Sequence, residues 1–163
     1  MRLRTVSIRS AQLSDVHDIV QLTGQLGYDI AAADAAKKLA RILSRSDHQF
    51  LIADAGGRAV GWLHAAITEY IEADPFVVVG GLVVDRNYRG QGIGRMLLEH
   101  AEGWARKQGC SIVRVWSSTA RTAAHRFYEH LGYRNVKTQH SFVKPVNDAG
   151  FNEIKRFVPR VDQ

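Results

Sequence analysis

The sequence predicts an α/β fold in which helices flank a mixed β-sheet of about six to seven strands. Strand-like and helix-like stretches alternate in the second half of the chain, which implies parallel crossovers. In the first half, two strand-like runs are joined by a short glycine-containing turn, which implies antiparallel pairing. With 163 residues, 45% of them hydrophobic, the chain is long enough to bury a core of its own.

A strand and two helices open the chain. The stretch VSIRSA predicts the first strand, and Ser14 is expected to cap a first helix whose first turn carries Asp15. Apolar residues at helical spacing predict a second helix from about residue 31 to residue 46, with its lysines and arginines in solvent. The run QFLIADAGGRAVGWLHAAI then predicts a hairpin that turns at residues 54–58.

The fourth predicted strand, FVVVGGLVV at residues 76–84, is an almost continuous run of β-branched residues. Such a run is typical of a central strand that is covered on both faces. Gly80 and Gly81 lie inside it, although glycine weakens a strand. We therefore expect a bulge or a close backbone approach at this point.

The second half of the chain continues with a helix that begins in RGQGIGR and ends at Gly109, a strand at SIVRVW, and a helix closed by Gly132. Residues 133–144 are expected to supply one or two last strands. The single cysteine, Cys110, precedes an apolar run and is expected to be a small buried hydrophobe. It excludes an internal disulfide framework.

Residues 1–144 are predicted to form one domain, and residues 145–163 a tail that is either loosely packed or an oligomerisation element. The second alternative leaves a homodimer open. The first twelve residues carry basic side chains but no apolar stretch, and no run approaches the length of a membrane span. The expectation is a cytoplasmic protein without membrane attachment.

The net charge of +6 and the pI near 9.8 indicate affinity for anions. The basic residues are scattered along the chain, and this argues against nucleic acid as the partner. Three arginines, Arg86, Arg89 and Arg95, surround the glycines of RGQGIGR. A glycine-rich turn between a buried strand and a helix presents free backbone amides at the positive end of the helix dipole, which predicts a phosphate site.

Two common phosphate motifs do not fit the spacing of these glycines. A Walker A loop ends in Gly-Lys-Ser/Thr, but Gly94 is followed by Arg95 and Met96. A dinucleotide fingerprint that starts at Gly90 would need its third glycine at position 95, and its place in the chain is also wrong.

The stretch instead resembles the acyl-CoA signature of the GNAT superfamily of N-acetyltransferases, Gln/Arg-x-x-Gly-x-Gly/Ala. The match runs position by position from Arg89 to Gly94, and GLVVD precedes it. IRSAQLSDVHDIVQL is similar to the first strand and helix of the family, and AHRFYEHLGY to its later helix with a tyrosine. Together these stretches cover roughly residues 7–144.

The resemblance implies a fold whose fourth and fifth strands splay apart, and acetyl-CoA as cosubstrate without a metal. It implies that the signature loop holds the CoA pyrophosphate, that the fourth strand binds the pantetheine amides, and that Tyr128 donates to sulfur. Many members have asparagine at the position of Arg121, so Arg121 either meets a CoA phosphate or faces solvent. The implied cofactor-binding residues are Leu82, Val83, Val84, Arg89, Gly90, Gln91, Gly92, Ile93, Gly94, Arg95 and Arg121.

The predicted function is transfer of an acetyl group from acetyl-CoA to a primary amine of a small molecule or peptide, by direct attack through a tetrahedral intermediate. The alternative is a non-catalytic acyl-CoA-binding regulatory module of the same fold. The retained Tyr128 favours the enzyme, since a binding module needs only the glycine signature.

The general base stays open at this level. The candidates are a water chain, three carboxylates before the fourth strand and one histidine that is expected to titrate near neutrality, namely Glu69, Glu72, Asp74 and His64. His125 and His140 are no better placed. The resemblance implies that Tyr28, in the loop between the first two helices, borders the acceptor site, and the acceptor mouth is expected to carry negative charge from among Asp29, Glu69, Glu72 and Asp74.

Overall fold

A computed structural model describes residues 5–154 of the chain. These residues belong to two compact units, Met1–Trp116 and Ser117–Gln163, and each unit is described by itself. Residues 1–4 and 155–163 lie outside the described part, and with them the last nine residues of the predicted tail.

The first unit holds the sheet and three helices. In chain order its elements are β1 (Ser7–Ser10), α1 (Val16–Gln25), α2 (Ala32–Leu43), β2 (His48–Asp54), β3 (Ala59–Tyr70), β4 (Ala73–Val84), α3 (Ile93–Lys107) and β5 (Val113–Val115). Short 3-10 turns at Leu13–Asp15 and Arg86–Tyr88 precede α1 and α3.

The strands form one mixed sheet in the order β1-β2-β3-β4-β5. The first four strands pair antiparallel, and β4 pairs with β5 in parallel. The predicted α/β class, the hairpin and the parallel crossover through α3 are therefore confirmed. The sheet of the described residues has 5 strands, somewhat fewer than expected.

The difference in strand number arises at residues 133–144, which have no regular secondary structure. Val136 is 85% exposed and Phe142 is 92% exposed, so their apolar side chains are not covered within the described chain. An extended segment becomes a strand only when a neighbouring strand satisfies its backbone and a core covers its side chains. Neither condition is met in this segment.

The second unit contains α4 (Thr122–His130) and α5 (Asp148–Ile154). As predicted, α4 is followed by Gly132, whose φ of 90° is one that other residues rarely adopt. α5 occupies part of the predicted tail 145–163. The domain boundary at residue 144 and dimerisation through the tail stay predictions.

The two faces of the sheet in the first unit are covered by different helices. α1 and α2 bury a cluster with the side chains of Phe50, Trp62 and Val83 on one face. α3 packs on β3 and β4, and a side chain at Gly61 would meet Leu97 of α3. Since neighbouring residues of a strand point to opposite faces, Gly61 and Trp62 show that α3 lies across the sheet from α1 and α2.

The first helix begins differently from the prediction. The carboxylate of Asp15, and not the hydroxyl of Ser14, accepts the backbone amide of Gln12 at 2.7 Å. Asp15 is buried and also accepts two hydrogen bonds of 2.8 Å from the guanidinium of Arg9. Arg9 bonds Asp54 at 2.7 Å as well, so one arginine joins β1, β2 and the start of the helical segment. A charged acceptor binds a buried amide more strongly than a hydroxyl does.

Candidate active site

β4 changes its surroundings at Gly80. Its residues 77–79 pair with β5 on one edge and with β3 on the other. His64 of β3 lies opposite Gly81, and Ala65 lies opposite Val79, so Gly80 is an extra residue in β4. The bulge expected from the glycines is confirmed. Within residues 5–154, the stretch from Gly80 to Val84 has no strand partner on the β5 side.

The second glycine of the pair is required by the indole of Trp62. A Cβ atom at Gly81 would lie 2.6 Å and 2.7 Å from two atoms of that ring. Trp62 is 8% exposed, and its buried Nε1 has no hydrogen-bond partner among the described residues. Burying a hydrogen-bond donor without a partner costs free energy, so this N–H group indicates a position where a ligand or a water molecule would bind.

A buried carboxylate fixes the turn that follows β4. Asp85 accepts the amide of Asn87 at 2.8 Å, and its own amide donates to the carbonyl of Val60 at 2.8 Å. Gln25, at the end of α1, accepts the amide of Arg86 at 3.0 Å and donates to Asp85 at 3.4 Å. Neither Asp85 nor Gln25 was expected from the sequence. Only the position of Asp85 directly after a buried strand offered a signal for it.

The glycine-rich loop leaves open space in front of α3. Gly90 and Gly92 have φ of 74° and 78°, and a Cβ atom at either position would meet nothing within 4 Å. Gly92 is the N-cap of α3, and its carbonyl accepts the amide of Met96 at 3.0 Å. The amides of the first helical turn, Ile93 to Arg95, have no acceptor within the helix. Free amides beside open space fit the phosphate group that the sequence predicts.

The three arginines around this loop are all exposed, but they are not equivalent. Nε of Arg89 donates to the carbonyl of Val84 at 3.1 Å, which ties the loop to the end of β4. Nε of Arg95 lies 2.7 Å from the carboxylate of Glu99, whose hydrogen bond raises the pKa of the guanidinium. The charge of Arg95 is therefore shared with Glu99.

In the second unit, Tyr128 packs between two aromatic rings. The rings of Phe127 and Tyr133 lie 5.2 Å and 5.8 Å from its own, both edge to face. Burial raises the pKa of the Tyr128 phenol, and the positive charge of Arg121 opposes this rise. Arg121 is exposed at the N-cap of α4. Nε2 of His125 lies 2.9 Å from the carbonyl of Ser118, which gives this histidine a local structural role.

The carboxylates considered as bases lie at the far end of the β3–β4 hairpin. Glu69, Glu72 and Asp74 are exposed there and line an open depression formed by residues 69–75. Gly80 lies six positions after Asp74, and a strand rises about 3.3 Å per residue, so this end lies roughly 20 Å from the bulge. The three carboxylates are too far away to take a proton at the bulge directly.

One histidine candidate lies at the bulge itself. Nε2 of His64 is 2.8 Å from Nδ1 of His48, and the two rings stack with 5.1 Å between centroids. The Phe50 ring stacks on His64 at 5.5 Å. Burial and the neighbouring His48 lower the pKa of His64 to about 4. The expectation that His64 titrates near neutrality is therefore wrong, because burial disfavours the charged ring.

No helix between residues 5 and 154 is long and apolar enough to cross a membrane. The same part of the chain contains no group of three or more histidine, cysteine or acidic residues that could hold a metal ion. Cys110 is buried, as predicted.

Comparison with protein families gives one match over most of the chain. The model of the acetyltransferase (GNAT) family matches residues 13–133. This region contains the bulged strand, the glycine-rich loop and Tyr128.

Individual relatives cover similar regions at low identity. An uncharacterized N-acetyltransferase of Methanocaldococcus jannaschii is 26% identical over 153 residues, which are 88% of this chain and 67% of the relative. Aminoglycoside N(6')-acetyltransferase type 1 of Stenotrophomonas maltophilia is 27% identical over 88% of this chain and 95% of its own. The solved aminoglycoside N-acetyltransferase AAC(6')-Iy in complex with CoA has a TM-score of 0.80 at 22% identity, with 88% of this chain and 97% of that one covered.

Proposed function

Since the chain belongs to the acetyltransferase (GNAT) family, we propose that it moves the acetyl group of acetyl-CoA to a primary amine of a small molecule or peptide. Family membership makes the protein an acetyl-CoA-dependent N-acetyltransferase. The acceptor class, the mechanism and the residues assigned below are the proposal. No feature of the chain favours the alternative of a non-catalytic acyl-CoA-binding module.

One observation carries the proposal. β4 loses its β5 partner at a bulge, and the unpaired stretch from Gly80 to Val84 leads within six residues into the open glycine loop before α3. An extended ligand with amide groups at one end and a pyrophosphate at the other needs such a sequence of sites. Pantetheine and the pyrophosphate of CoA provide these groups in that order.

The loop residues would hold the pyrophosphate of acetyl-CoA. The first-turn amides of α3 supply donors at the positive end of the helix dipole, and glycine leaves room for the phosphate oxygens. Arg89 is restrained by Val84, which leaves its terminal nitrogens for a phosphate. The residues proposed for this task are Arg89, Gly90, Gln91, Gly92, Ile93, Gly94 and Arg95.

The end of β4 would bind the pantetheine chain. Backbone groups of Leu82, Val83 and Val84 lie on the stretch that β5 does not pair. An unpaired strand edge binds an extended ligand through main-chain hydrogen bonds, as in β-augmentation. One amide of this stretch would also polarise the acetyl carbonyl and stabilise the oxyanion. Arg121, exposed at the start of α4, is proposed as a further phosphate contact.

The reaction is attack of a neutral amine on the thioester, which forms a tetrahedral oxyanion and expels the CoA thiolate. Tyr128 is proposed as the donor to the sulfur. A phenol of ordinary pKa ~10 is already a weaker acid than a thiol of pKa ~8.5, and burial raises its pKa further. The hydroxyl therefore acts by hydrogen bonding to the growing thiolate charge and not by complete proton transfer.

The names of similar proteins support the proposed acceptor class. Two of the similar proteins are named aminoglycoside N-acetyltransferases, and aminoglycosides are small molecules with several amino groups. Tyr28 and Asp29 are exposed between α1 and α2 and are proposed to border the acceptor site.

The experiment that tests this function is thiol release from acetyl-CoA in the presence of a panel of amines. The panel should contain an aminoglycoside, a diamine, a free amino acid and a lysine peptide, with product identity checked by the mass of one acetyl group. Amine-dependent thiol release is expected for at least one class. Tight CoA binding without release for any amine would establish the regulatory alternative instead.

A further inference from the structure

His64 of β3 lies next to the bulge of β4. A Cβ atom placed on Gly80 would lie 3.9 Å from Nδ1 of His64, and Gly80 is exposed. The other ring nitrogen of His64 is engaged by His48 at 2.8 Å. Among the described residues, Nδ1 of His64 has no hydrogen-bond partner. This nitrogen is therefore accessible from the exposed side of the bulge.

The pair continues from His64 toward solvent. The side chain of His48 is 18% exposed, and its Nε2 lies 4.0 Å from the carboxylate of Asp47. Arg45 binds this carboxylate at 2.8 Å, and its hydrogen bond lowers the pKa of Asp47 to about 2. The carboxyl group of Asp47 is therefore ionised at neutral pH. A proton that reaches His48 faces a negative charge and solvent.

Within residues 5–154, His48 is the one titratable group whose charge acts on the ring of His64. Phe50 of β2 and Trp62 of β3 lie beside it, and the facing positions of β4 are Gly80 and Gly81. The charged groups along this path are Asp47 and Arg45 at its outer end. The imidazole of His64 is neutral at neutral pH, since burial and His48 lower its pKa to about 4. Its free nitrogen is then able to accept a proton.

We propose that His64 and His48 form a proton exit from the acceptor amine, in which Nδ1 of His64 takes the proton of the bound ammonium. As the N–H bond of the ammonium breaks, Nδ1 of His64 gains that proton and Nε2 of His64 releases its own to Nδ1 of His48. His48 then loses its Nε2 proton to water beside Asp47. The amine keeps the electron pair with which it attacks the thioester, and both rings end neutral.

A relay is required because His64 is too weak a base to hold the proton. An ammonium of pKa ~10 holds a proton about a millionfold more tightly than an imidazole of pKa about 4. The proton must therefore pass on to His48 and solvent as the transfer occurs. Exchange with solvent returns the rings to their starting tautomers between turnovers. This inference rests on the proposed acetyl transfer, which places the acceptor at the bulge.

The test compares His64→Phe with the wild-type protein. Phenylalanine keeps an aromatic ring against Phe50 and removes both nitrogens. With a strongly basic amine at pH 7, kcat is expected to fall about 100-fold, at the low end of general-base effects, with acetyl-CoA affinity unchanged. The deficit is expected to shrink to below about 10-fold with a weakly basic amine or above the pKa of the ammonium, because the amine then arrives neutral.

His48→Phe is expected to show a smaller loss with the same dependence on amine basicity, and it keeps the test valid if His64→Phe fails to fold. His17→Phe, on the exposed face of α1, is the matched control and should match the wild-type rate. An equal loss at every pH and for every amine would assign the pair a structural role and overturn the inference. So would a His64→Phe enzyme with wild-type kcat, although the acetyltransferase function would then stand. A wild-type protein without thiol release would instead contradict the function itself.

Discussion

Residues 76–84 of β4 divide into two halves that differ in their surroundings. The first half, Phe76–Val79, is between 0% and 7% exposed and pairs with a strand on each edge over residues 77–79. The second half, Gly80–Val84, starts with a bulge and pairs with β3 alone among the described residues. The first half stabilises the sheet, and the second half is the stretch proposed to bind the pantetheine chain.

Under the proposed function, one strand serves both stability and ligand binding. A fully buried valine or phenylalanine contributes about 1.5–3 kcal/mol relative to an exposed one, so the first half anchors the core. In the second half, unpaired backbone groups must be satisfied by water or by a ligand. Two glycines mark the boundary: Gly80 forms the bulge, and Gly81 has space only because it lacks a side chain.

The largest effect is expected from Gly94→Val, at the end of the path that leaves β4. A branched side chain in the first turn of α3 would occupy the space proposed for the pyrophosphate and weaken acetyl-CoA binding by more than about 100-fold. Calorimetric titration with CoA measures this. Gly92→Val should have the same result, but the φ of 78° at that position adds strain, so it is the weaker test.

Gly103→Val is the matched control for this comparison, because Gly103 lies in the same helix. A Cβ atom there approaches only the end of the Arg106 side chain, at 4.0 Å. CoA affinity should equal that of the wild type. If Gly94→Val and Gly92→Val both fold and bind CoA with wild-type affinity, the loop is not the phosphate site.

The second-largest effect on activity is expected from deletion of Gly80, which removes the bulge that separates the two halves of β4. Without the extra residue β4 can pair regularly with β3, so thermal stability should be kept or rise. The bulge would be lost, and kcat/KM is expected to fall about 100-fold as the acetyl group is no longer held in reach of the amine. Unfolding curves and steady-state kinetics decide this. A deletion variant with full activity would show that the bulge has no catalytic role.

Tyr128→Phe tests the proposed hydrogen bond from the tyrosine hydroxyl to the sulfur of CoA. The hydroxyl acts only on charge that develops in the transition state, so kcat is expected to fall roughly 10- to 100-fold while the Kd for acetyl-CoA stays constant. The ring still packs against Phe127 and Tyr133, so stability should hardly change. A normal kcat would make Tyr128 a packing residue, and equal losses in binding and rate would make it a cofactor contact.

The smallest effect on activity is expected from Val77→Ala, in the first half of β4. Val77 is 0% exposed, so the loss of its methyl groups should lower the free energy of unfolding by about 2 kcal/mol. The Kd for acetyl-CoA and kcat should stay at wild-type values below the unfolding temperature. Chemical denaturation beside kinetics measures both. A loss of CoA binding as large as that of Gly94→Val would contradict the division of β4 into two functional halves.

Features that depend on local backbone chemistry were predictable from the sequence. Glycine in a strand and glycine before a helix have a direct conformational meaning, so the bulge at Gly80 and the loop at Gly90 and Gly92 were expected and are present. Apolar periodicity also predicted that α2, α3 and α4 exist, although α2 ends at Leu43 and not at about residue 46.

Features that depend on pairing between distant residues were not predictable. Gln25 meets Asp85 across 60 positions of the chain, and nothing local in either residue indicates the other. His48 and His64 meet because of the β2–β3 register, and a shift of one residue would place them on opposite faces. The low pKa of His64 follows from this burial. The missing strands at 133–144 have the same cause, because strand formation needs a partner that the sequence pattern does not specify.

Hydrogen–deuterium exchange of the backbone with and without CoA tests the division of β4 most directly. The amides of Gly80 to Val84 that do not bond to β3 and the amides of the loop from Arg89 to Arg95 are expected to exchange more slowly when CoA is bound, since the ligand satisfies groups that are otherwise open. The amides of Val77 to Val79 should be slow in both states, because β3 and β5 already pair them. Protection that appears elsewhere and leaves both the second half of β4 and the glycine loop unchanged would contradict the account.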